Sequence, residues 1–193
     1  MVAMEQRLSQ ILSQRQKQPI AEAGLIVSAV LVPIYRKRGR YYILFTKRTE
    51  RVREHKGQVS FPGGARHKVD KTLFDTALRE SAEEIGLAPT EVKILGELDD
   101  MRTETSNYII TPFVALIPYP YQFKVDGWEV EEIIEAPISA LLDKDLRPQT
   151  RVIDVDGQSV TSYFYHYQGS VIWGATANIL HQFLGIFAQA MRG

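Results

Sequence analysis

The stretch FPGGARHKVDKTLFDTALRESAEEIGL, residues 61–87, has a proline and two glycines near its start and three glutamates near its end. Its second half has the pattern of a helix, with Glu80, Glu83 and Glu84 in the last two turns. Exposed carboxylates are unfavourable there because the end of the helix dipole is negative. Glu80 and Glu84 are also four residues apart, so they repel each other on one face. The pattern raises the question of what compensates these charges.

The helix in this stretch has clear boundaries in the sequence. Thr72 followed by Asp75 resembles a capping box, and Gly86 is a normal C-terminal stop. The spacing of a buried face is followed by Phe74, Ala77, Leu78, Ser81, Ala82 and Ile85. We therefore predict a helix from Thr72 to Ile85 whose three glutamates project together from another face.

Two interpretations of the acidic face are open. On an arbitrary helix such a face is usually solvated, here with Arg79 paired to Glu83 at i+4. The glycines change the balance, because Gly63 and Gly64 let a backbone carbonyl in a loop approach the carboxylates. Clustered oxygens with no lysine on the same face favour a hard divalent cation such as Mg²⁺. We therefore predict a divalent metal beside this helix.

Composition excludes several classes of function. The 193 residues are 45% hydrophobic and 24% charged, as in a globular protein, and we expect one domain over residues 1–193. Lys plus Arg and Asp plus Glu both number 23, so the chain lacks the basic field of a nonspecific nucleic-acid binder. The absence of cysteine excludes disulfides, thiolate metal sites and cysteine nucleophiles.

The N-terminal residues 1–22 are expected to form a helical extension rather than a signal peptide. Charged residues are scattered through this segment, and it has no continuous apolar core. No segment reaches the roughly 18 apolar residues that span a bilayer. We therefore expect a soluble, cytoplasmic protein without a membrane partner.

The remaining segments predict an α/β fold. The strand candidates are AGLIVSAVLVPIY (23–35), YYILFTKR (41–48), EVKILGEL (91–98), YIITPFVALIPY (108–119) and SYFYHYQGSVIWG (162–174). The first two form a predicted hairpin around RKRGR (36–40). Helices are predicted at PISALLD (137–143) and over residues 175–191. Because strands and helices do not alternate strictly, we expect a mixed β-sheet packed between α-helices.

The end of the opening stretch resembles the Nudix box, written G-x5-E-x7-R-E-U-x-E-E-x-G-U with U aliphatic. The matching residues are Arg79, Glu80, Glu83, Glu84, Gly86 and Leu87. Ser81 stands where U is expected, Asp70 replaces the first glutamate, and the spacing from Asp70 to Arg79 is one residue longer. The box covers about residues 64–87, and the resemblance implies the Nudix fold, a mixed β-sheet sandwiched between α-helices.

The residues before the box resemble the coenzyme A pyrophosphatase subgroup of that family. ILFTKRTERVREHKGQVSFPGGARHKVD (43–70) is similar to its approximate pattern L-L-T-x-R-S-x-x-L-R-x-H-x-G-x-V-x-F-P-G-G-x-x-D. The longer spacing before Arg79 also occurs in that subgroup. IITPFVALIP, EVEEIIEAPISALL and VIWGATANIL are similar to later segments of the subgroup, so the resemblance covers most of residues 25–190.

The resemblance implies metal-dependent hydrolysis of a nucleoside diphosphate derivative. Mg²⁺, with Mn²⁺ as an alternative, would be held by Glu80, Glu84 and a carbonyl of the loop at Gly64, and would lower the pKa of bound water. Glu83 would bind a second metal or orient water. Arg79 would hold a carboxylate rather than touch substrate.

A general base outside the box is also implied. Glu129 in DGWEVEEIIEAP (126–137) is our first candidate, and Glu131 and Glu132 are competing choices. A solvated acidic loop is an equally good interpretation of any one of them.

A basic run before the glycines favours a substrate with several phosphates. It consists of Lys47, Arg48, Arg51, Arg53, His55 and Lys56. Coenzyme A has a 3′-phosphate besides its diphosphate, and arginine offers bidentate contacts to phosphate. Such a run is usually a solvated face, but the subgroup pattern covers Arg48, Arg53 and His55. We therefore predict substrate contacts from this run, with Arg66 as a further candidate.

Three functions remain open. The first is hydrolysis of coenzyme A or its thioesters to 3′,5′-ADP and 4′-phosphopantetheine. The second is a Nudix enzyme for a nucleotide sugar, a dinucleoside polyphosphate or a noncanonical nucleoside triphosphate. The third is a catalytically silent Nudix domain that senses a ligand. The intact RESAEE sequence speaks against the third, and the basic run with GQVSFPGG favours the first.

Other features are assigned to structure. His67, His166 and His181 lack metal-ligand spacing. Trp173 and the stripe of Ile179, Phe183, Ile186 and Phe187 are assigned to the core or to a homodimer face rather than to a cofactor site.

Overall fold

The computed structural model describes residues 3–51, 56–103, 106–143, 148–155 and 158–192. In chain order its elements are α1 (Met4–Gln14), β1 (Ile26–Lys37), β2 (Arg40–Arg48), β3 (Val59–Ser60), β4 (Gly63–Ala65), α2 (Leu73–Ile85), a 3₁₀ turn (Pro89–Glu91), β5 (Lys93–Glu97), β6 (Met101–Arg102), β7 (Tyr108–Leu116), β8 (Val130–Pro137), α3 (Ile138–Leu141), β9 (Gln149–Val155), β10 (Gln158–Tyr167), β11 (Ser170–Ile172) and α4 (Gly174–Arg192).

Most strands belong to one mixed sheet centred on β1. The order β3-β2-β1-β7-β5 forms its main path, while β4 pairs with β1, β6 with β7 and β8 with β2. β1 and β7 run parallel, and the other pairs in this sheet are antiparallel. β9, β10 and β11 form a separate antiparallel sheet. The predicted mixed sheet is confirmed.

The two faces of the main sheet are covered by different helices. Alternate residues of β1 point to opposite faces, so Val32 and Ile34 pack with α1 and α4, whereas Leu31 and Tyr35 pack with α2. Three residues of the C-terminal stripe, Ile179, Phe183 and Phe187, are buried in the first of these cores, and Ile186 packs against it half-buried. Of the two interpretations of the stripe, the structure selects the core.

The predicted helix boundaries are confirmed at α2. Thr72 Oγ1 accepts the Asp75 amide at 3.1 Å, and the Asp75 carboxylate accepts the Thr72 amide at 2.8 Å. Gly86 ends the helix in the left-handed region at φ 67°. The C-terminal helix begins at Gly174, one residue earlier than predicted, and α3 is a single turn after Pro137. No helix in the described part of the chain is long and apolar enough to cross a membrane.

Three strand predictions need correction. The segment 162–174 contributes to two strands rather than one, because Gln168 and Gly169 form a turn with φ of 49° and 81°. β3, β6 and β9 were not predicted. Gly63–Ala65, expected in a loop, forms β4 and pairs with β1. A β-carbon on Gly63 would lie 2.6 Å from Val30 Cα, so the close approach of β4 to β1 requires a glycine there.

The N-terminal extension is attached to the sheet by its own ion pairs. Leu8 and Leu12 of α1 are buried, and the segment that follows pairs Arg15 with Asp99 at 2.6 Å and Lys17 with Asp100 at 2.9 Å. Residues 3–22 thus contribute α1 to the helical cover on one face of the sheet.

Candidate active site

A cavity of about 420 Å³ opens where α2, β4, β7 and the start of α4 meet. Its charged wall is formed by Arg48, Glu80 and Glu129. Its other walls are apolar or carry hydroxyl groups, and they include Phe61, Ile110 and Trp173. Three sequence-predicted site residues, from β2, α2 and the turn before β8, therefore meet at one cavity together with Gly64.

Gly64 brings the carboxylate of Glu80 against the backbone of β4. A β-carbon at this glycine would lie 2.6 Å from the carboxyl carbon of Glu80, so a larger residue would displace the carboxylate. The neighbouring Gly63 donates its amide to Glu84 Oε2 at 3.2 Å. The two glycines thus place the acidic end of α2 directly beside main-chain atoms.

Glu84 is a buried carboxylate with little compensation. Only 4% of the residue is exposed, and Arg48 Nη1 lies 3.9 Å from Glu84 Oε1. Burial raises the pKa of Glu84 to about 8, although the Gly63 amide and Arg48 act in the opposite direction. Burial also raises the pKa of Glu80, despite the Arg79 contact at 2.7 Å. Both carboxyl groups therefore lie where negative charge is under-compensated.

Arg79 connects the carboxylates of the box. It donates two bonds to Asp70, at 3.1 and 3.0 Å, and its Nη1 contacts Glu80 at 2.7 Å and Glu83 at 3.1 Å. Its Nη2 also donates to the Ala65 carbonyl at 3.1 Å. Arg79 therefore ties α2 to β4 and lies among carboxylates, off the cavity wall.

Asp70, which replaces the first glutamate of the box, is fully engaged by the protein. Besides Arg79 it accepts the His67 amide at 2.8 Å and the Thr76 hydroxyl at 3.0 Å. The hydrogen bonds from Arg79 hold the pKa of Asp70 well below its usual range, and those to Asp70 raise the pKa of Arg79. These hydrogen bonds indicate a structural role for Asp70 at the base of the site.

The three glutamates of α2 do not share one environment, contrary to the sequence prediction. The Glu83 side chain is 60% exposed and pairs with Arg79, whereas Glu84 faces Gly63 in the interior. The reason is that α2 packs through Ser81, Glu84 and Ile85, so the helix turns Glu83 outward. The solvated interpretation therefore describes Glu83 well but not Glu84.

Glu129 lies on the cavity wall, and the two competing glutamates do not. Its carboxylate is 3.3 Å from Arg48 Nη2, and its amide is held by the Asp126 carboxylate at 3.1 Å. Glu131 and Glu132 instead pair with Lys47, at 3.7 and 2.9 Å. Among these three glutamates, geometry therefore favours Glu129 as the group that faces a reacting molecule.

The residues of the basic run lie in different environments in the structure. Arg48 lines the cavity, and its Nε is buried without a hydrogen-bond partner in the described residues. Arg51 and Lys56 are exposed on the turn after β2, whereas Arg53 and His55 lie outside the described residues. Arg66 donates to the carbonyls of Asp70 and Lys71, at 3.3 and 3.2 Å, and is off the cavity wall.

Glu80, Glu83 and Glu84 are the candidate oxygen ligands for a divalent cation. In the described part of the chain, no three His, Asp or Glu side chains are already arranged around one metal position. The Arg79 contacts account for this in part, since Arg79 Nη1 bonds both Glu80 and Glu83. The oxygens of Glu80, beside Gly64, and of Glu84, beside Gly63, nonetheless fit a hard cation, because both carboxylates are under-compensated.

Trp173 is the main site residue that the sequence analysis missed. It was assigned to the core or a dimer face, but the structure places it on the cavity wall with 38% of its surface exposed. Tyr108, Thr103 and Ser106 were not singled out either. The similarity of VIWGATANIL to the coenzyme A pyrophosphatase subgroup was the available signal for Trp173.

Known proteins resemble the chain in sequence and fold. The NUDIX domain model matches residues 25–154. An uncharacterized Nudix hydrolase NudL from Photorhabdus laumondii subsp. laumondii is 39% identical over 157 residues, covering 80% of this chain and 81% of the relative. A relative of the same name from Pectobacterium atrosepticum is 37% identical over 159 residues, covering 80% and 79%.

Solved structures share the fold at low identity. A MutT/nudix family protein from Enterococcus faecalis has a TM-score of 0.59 at 12% identity, and the match covers 99% of this chain and 70% of that one. The NUDIX domain of Shewanella oneidensis NrtR, complexed with ADP ribose, has a TM-score of 0.50 at 18% identity, covering 69% and 85%. The large mixed sheet with helices in this chain matches the fold of such Nudix neighbours.

Proposed function

Because this chain belongs to the NUDIX domain family, we propose that it is a Nudix hydrolase that cleaves the diphosphate of coenzyme A or its thioesters. The products are 3′,5′-ADP and 4′-phosphopantetheine, or acyl-phosphopantetheine. The observation that carries this proposal is the meeting of Arg48, Glu80 and Glu129 at one cavity, directly beside a turn that exposes further cations. Its cellular site is the cytoplasm, which agrees with a chain free of cysteine.

Glu80 and Glu84, with a main-chain carbonyl at Gly64, are the residues that would hold a divalent cation, as Nudix hydrolases generally require. When bound, Mg²⁺ or Mn²⁺ neutralises phosphate charge and lowers the pKa of water. Arg79 positions Glu80 through the 2.7 Å contact between them. Glu83 is exposed enough to bind a second cation or to orient water.

Glu129 is the proposed general base. Its carboxylate faces the cavity, and its backbone is fixed by the Asp126 carboxylate, which accepts the amides of Trp128, Glu129 and Val130. It accepts the proton of the attacking water while the water oxygen bonds to phosphorus and the bond to the bridging oxygen breaks. Arg48 Nη2, 3.3 Å away, orients the Glu129 carboxylate.

The choice of coenzyme A rests on the basic run. Coenzyme A carries three phosphate groups, and Arg48 with the exposed Arg51 and Lys56 supplies cations at the cavity and on the adjoining turn. Arg53 and His55 belong to the same run of sequence. Arg66 stays a weaker candidate for substrate binding because it already donates to two carbonyls of its own loop.

The test is a panel of diphosphates with the purified full chain, first with Mg²⁺ and then with Mn²⁺, with products identified by mass. The panel contains coenzyme A, acetyl-coenzyme A, ADP-ribose, a nucleotide sugar, a dinucleoside polyphosphate and a nucleoside triphosphate. We expect coenzyme A or its thioester to have the highest kcat/KM. Faster cleavage of another compound would assign the chain to a different Nudix specificity, and binding without turnover would indicate a sensing domain.

A further inference from the structure

The residues that line the cavity form two groups of different chemistry. The charged group consists of Arg48, Glu80 and Glu129, from β2, α2 and the turn before β8, and it includes Glu80, which is proposed to hold the cation. The second group comes from β7, the segment before it and the start of α4, and it has aromatic and aliphatic side chains with several hydroxyls: Trp173, Tyr108, Ile179, Thr103, Ser106 and Thr176. A substrate whose diphosphate contacts the charged group has one of its two arms available to contact this neutral, largely apolar wall.

The arm that carries the 3′-phosphate does not suit this wall. Arg48 is the one basic residue among the described residues that line the cavity, and it already lies 3.3 Å from Glu129 and 3.9 Å from Glu84. A phosphomonoester has a charge near −1.5 to −2 at neutral pH and needs cationic partners. Arg51 and Lys56 are exposed on the turn after β2 and do not line the cavity.

The other arm of coenzyme A matches the wall. The pantetheine arm is uncharged and combines methyl and methylene groups with two amides and a hydroxyl. Apolar side chains interleaved with a few hydroxyls are the usual lining for such a ligand, and about 420 Å³ lies within the size range of small-molecule sites. The exposed face of Trp173 supplies a large apolar contact surface on this wall.

We propose that the wall formed by Trp173 and the first turn of α4 binds the pantetheine arm, and that Trp173 is a specificity-determining residue. The adenosine 3′-phosphate arm then lies outside this wall, toward Arg51 and Lys56. This assignment rests on the proposed coenzyme A activity. It adds the orientation of the substrate in the cavity, and it identifies Trp173 as the residue that limits the size of the acyl group.

Product inhibition of the full-length enzyme tests the assignment, because the two products each carry one arm. In Trp173→Ala we expect the inhibition constant of 4′-phosphopantetheine to rise about tenfold, as for loss of part of an aromatic contact. The inhibition constant of 3′,5′-ADP should change less than about twofold, which is the scatter expected for a site without contact. Tyr119→Ala is the matched control, since Tyr119 is an aromatic residue that is 42% exposed and does not line the cavity.

A filling substitution gives an independent measurement. Ala175 lies on the cavity wall in the first turn of α4, and Ala175→Leu should reduce kcat/KM for long-chain acyl-coenzyme A more than for coenzyme A. Trp173→Ala should change that ratio in the opposite direction. Thermal melting of both variants verifies that each is folded.

Three results would overturn the assignment. The first is a larger effect of Trp173→Ala on 3′,5′-ADP than on 4′-phosphopantetheine, and the second is an equal effect on both. The third is an unchanged ratio of acyl-coenzyme A to coenzyme A cleavage in Ala175→Leu. Failure of the underlying activity would look different, because the wild-type chain would then not cleave coenzyme A at all.

Discussion

Gly64 and Glu80 approach each other so closely that a β-carbon on the glycine would lie 2.6 Å from the glutamate's carboxyl carbon. Glu80 is at the same time held by Arg79 at 2.7 Å. The carboxylate is therefore fixed between a guanidinium group and the backbone of β4. Glycine is required at this position because a side chain would displace Glu80, the proposed metal ligand. The backbone conformation of a turn is not the reason.

Gly64→Ala should therefore impair catalysis more than folding. The added methyl group displaces the Glu80 carboxylate, and we expect kcat/KM to fall by about a hundredfold, the cost of misplacing a catalytic group by about 1 Å. Gly185→Ala is the matched control, because its β-carbon meets no atom within 4 Å. In that helical control, kcat/KM should be unchanged and stability should rise by about 0.5 to 1 kcal/mol. Normal kcat/KM in Gly64→Ala would exclude the proposed position of Glu80 at the metal.

Glu80→Gln and Glu84→Gln should each remove the response to metal. In the wild type, we expect added Mg²⁺ to raise the melting temperature, because the cation binds the folded state and compensates the carboxylates of the buried Glu84 and the half-buried Glu80. In each variant, most of this increase in melting temperature should be lost, and kcat should fall by a factor on the order of 10³. Calorimetry with and without Mg²⁺ measures this change, and Glu91→Gln, at an exposed glutamate of the 3₁₀ turn that does not line the cavity, is the control. A wild-type increase in melting temperature that survives in both variants would move the metal elsewhere.

Asp70→Asn should reduce stability in a pH-dependent way. The Arg79 hydrogen bonds lower the pKa of Asp70 in the folded state, so this carboxylate stabilises the fold above its unfolded pKa, near 3.8, and the contribution is lost as the pH falls through the folded value. At pH 7 we expect a loss of about 1.5 to 3 kcal/mol in the free energy of unfolding. Urea unfolding at pH 7, 5 and 3 should show the difference from wild type shrinking below pH 4. A difference that stays constant over this range would mean that the charge of Asp70 is irrelevant.

The structural features that were best predicted from the sequence are those that depend on residues close together in the chain. The boundaries of α2 follow from Thr72, Asp75 and Gly86, which act within one helical turn, and the β1–β2 hairpin follows from its short connection at Arg38 and Gly39. Both were confirmed. Local patterns of this kind contain their own stabilising contacts, so a single sequence is enough to recognise them.

Features that depend on distant contacts were not predictable in the same way. The burial of Glu84 but not Glu83 depends on β4, which packs against α2 only because it pairs with β1. The place of Trp173 on the cavity wall depends on β7 and α2, which come much earlier in the chain. An apolar residue beside a helix is compatible with a core or with a binding wall, and only the assembled sheet distinguishes them.

Glu129→Gln should slow the chemical step and change its pH dependence. A general base contributes about 10² to 10⁴ to the rate, so kcat should fall at least a hundredfold and the acid limb of the pH profile should flatten. Metal affinity should change little, because Glu129 contacts Arg48 rather than the proposed metal ligands. Glu131→Gln and Glu132→Gln are matched controls on the adjoining strand β8, since both side chains pair with Lys47. An unaltered pH profile in Glu129→Gln would transfer the role to another group.

Removal of the 3′-phosphate should make coenzyme A a poorer substrate. Dephospho-coenzyme A retains the scissile diphosphate but leaves the cations on the turn after β2 without a partner. We expect kcat/KM to fall by roughly tenfold to a hundredfold, as for one charge-assisted contact of about 1.5 to 3 kcal/mol. Products should be 4′-phosphopantetheine with 3′,5′-ADP from coenzyme A, and with 5′-AMP from the dephospho form, since water attacks within the diphosphate. Arg51→Ala should shrink the preference, whereas Arg66→Ala should not, because Arg66 is engaged by the carbonyls of Asp70 and Lys71. Equal kcat/KM for the two substrates in the wild type would contradict recognition of the 3′-phosphate and leave the general Nudix hydrolase assignment intact.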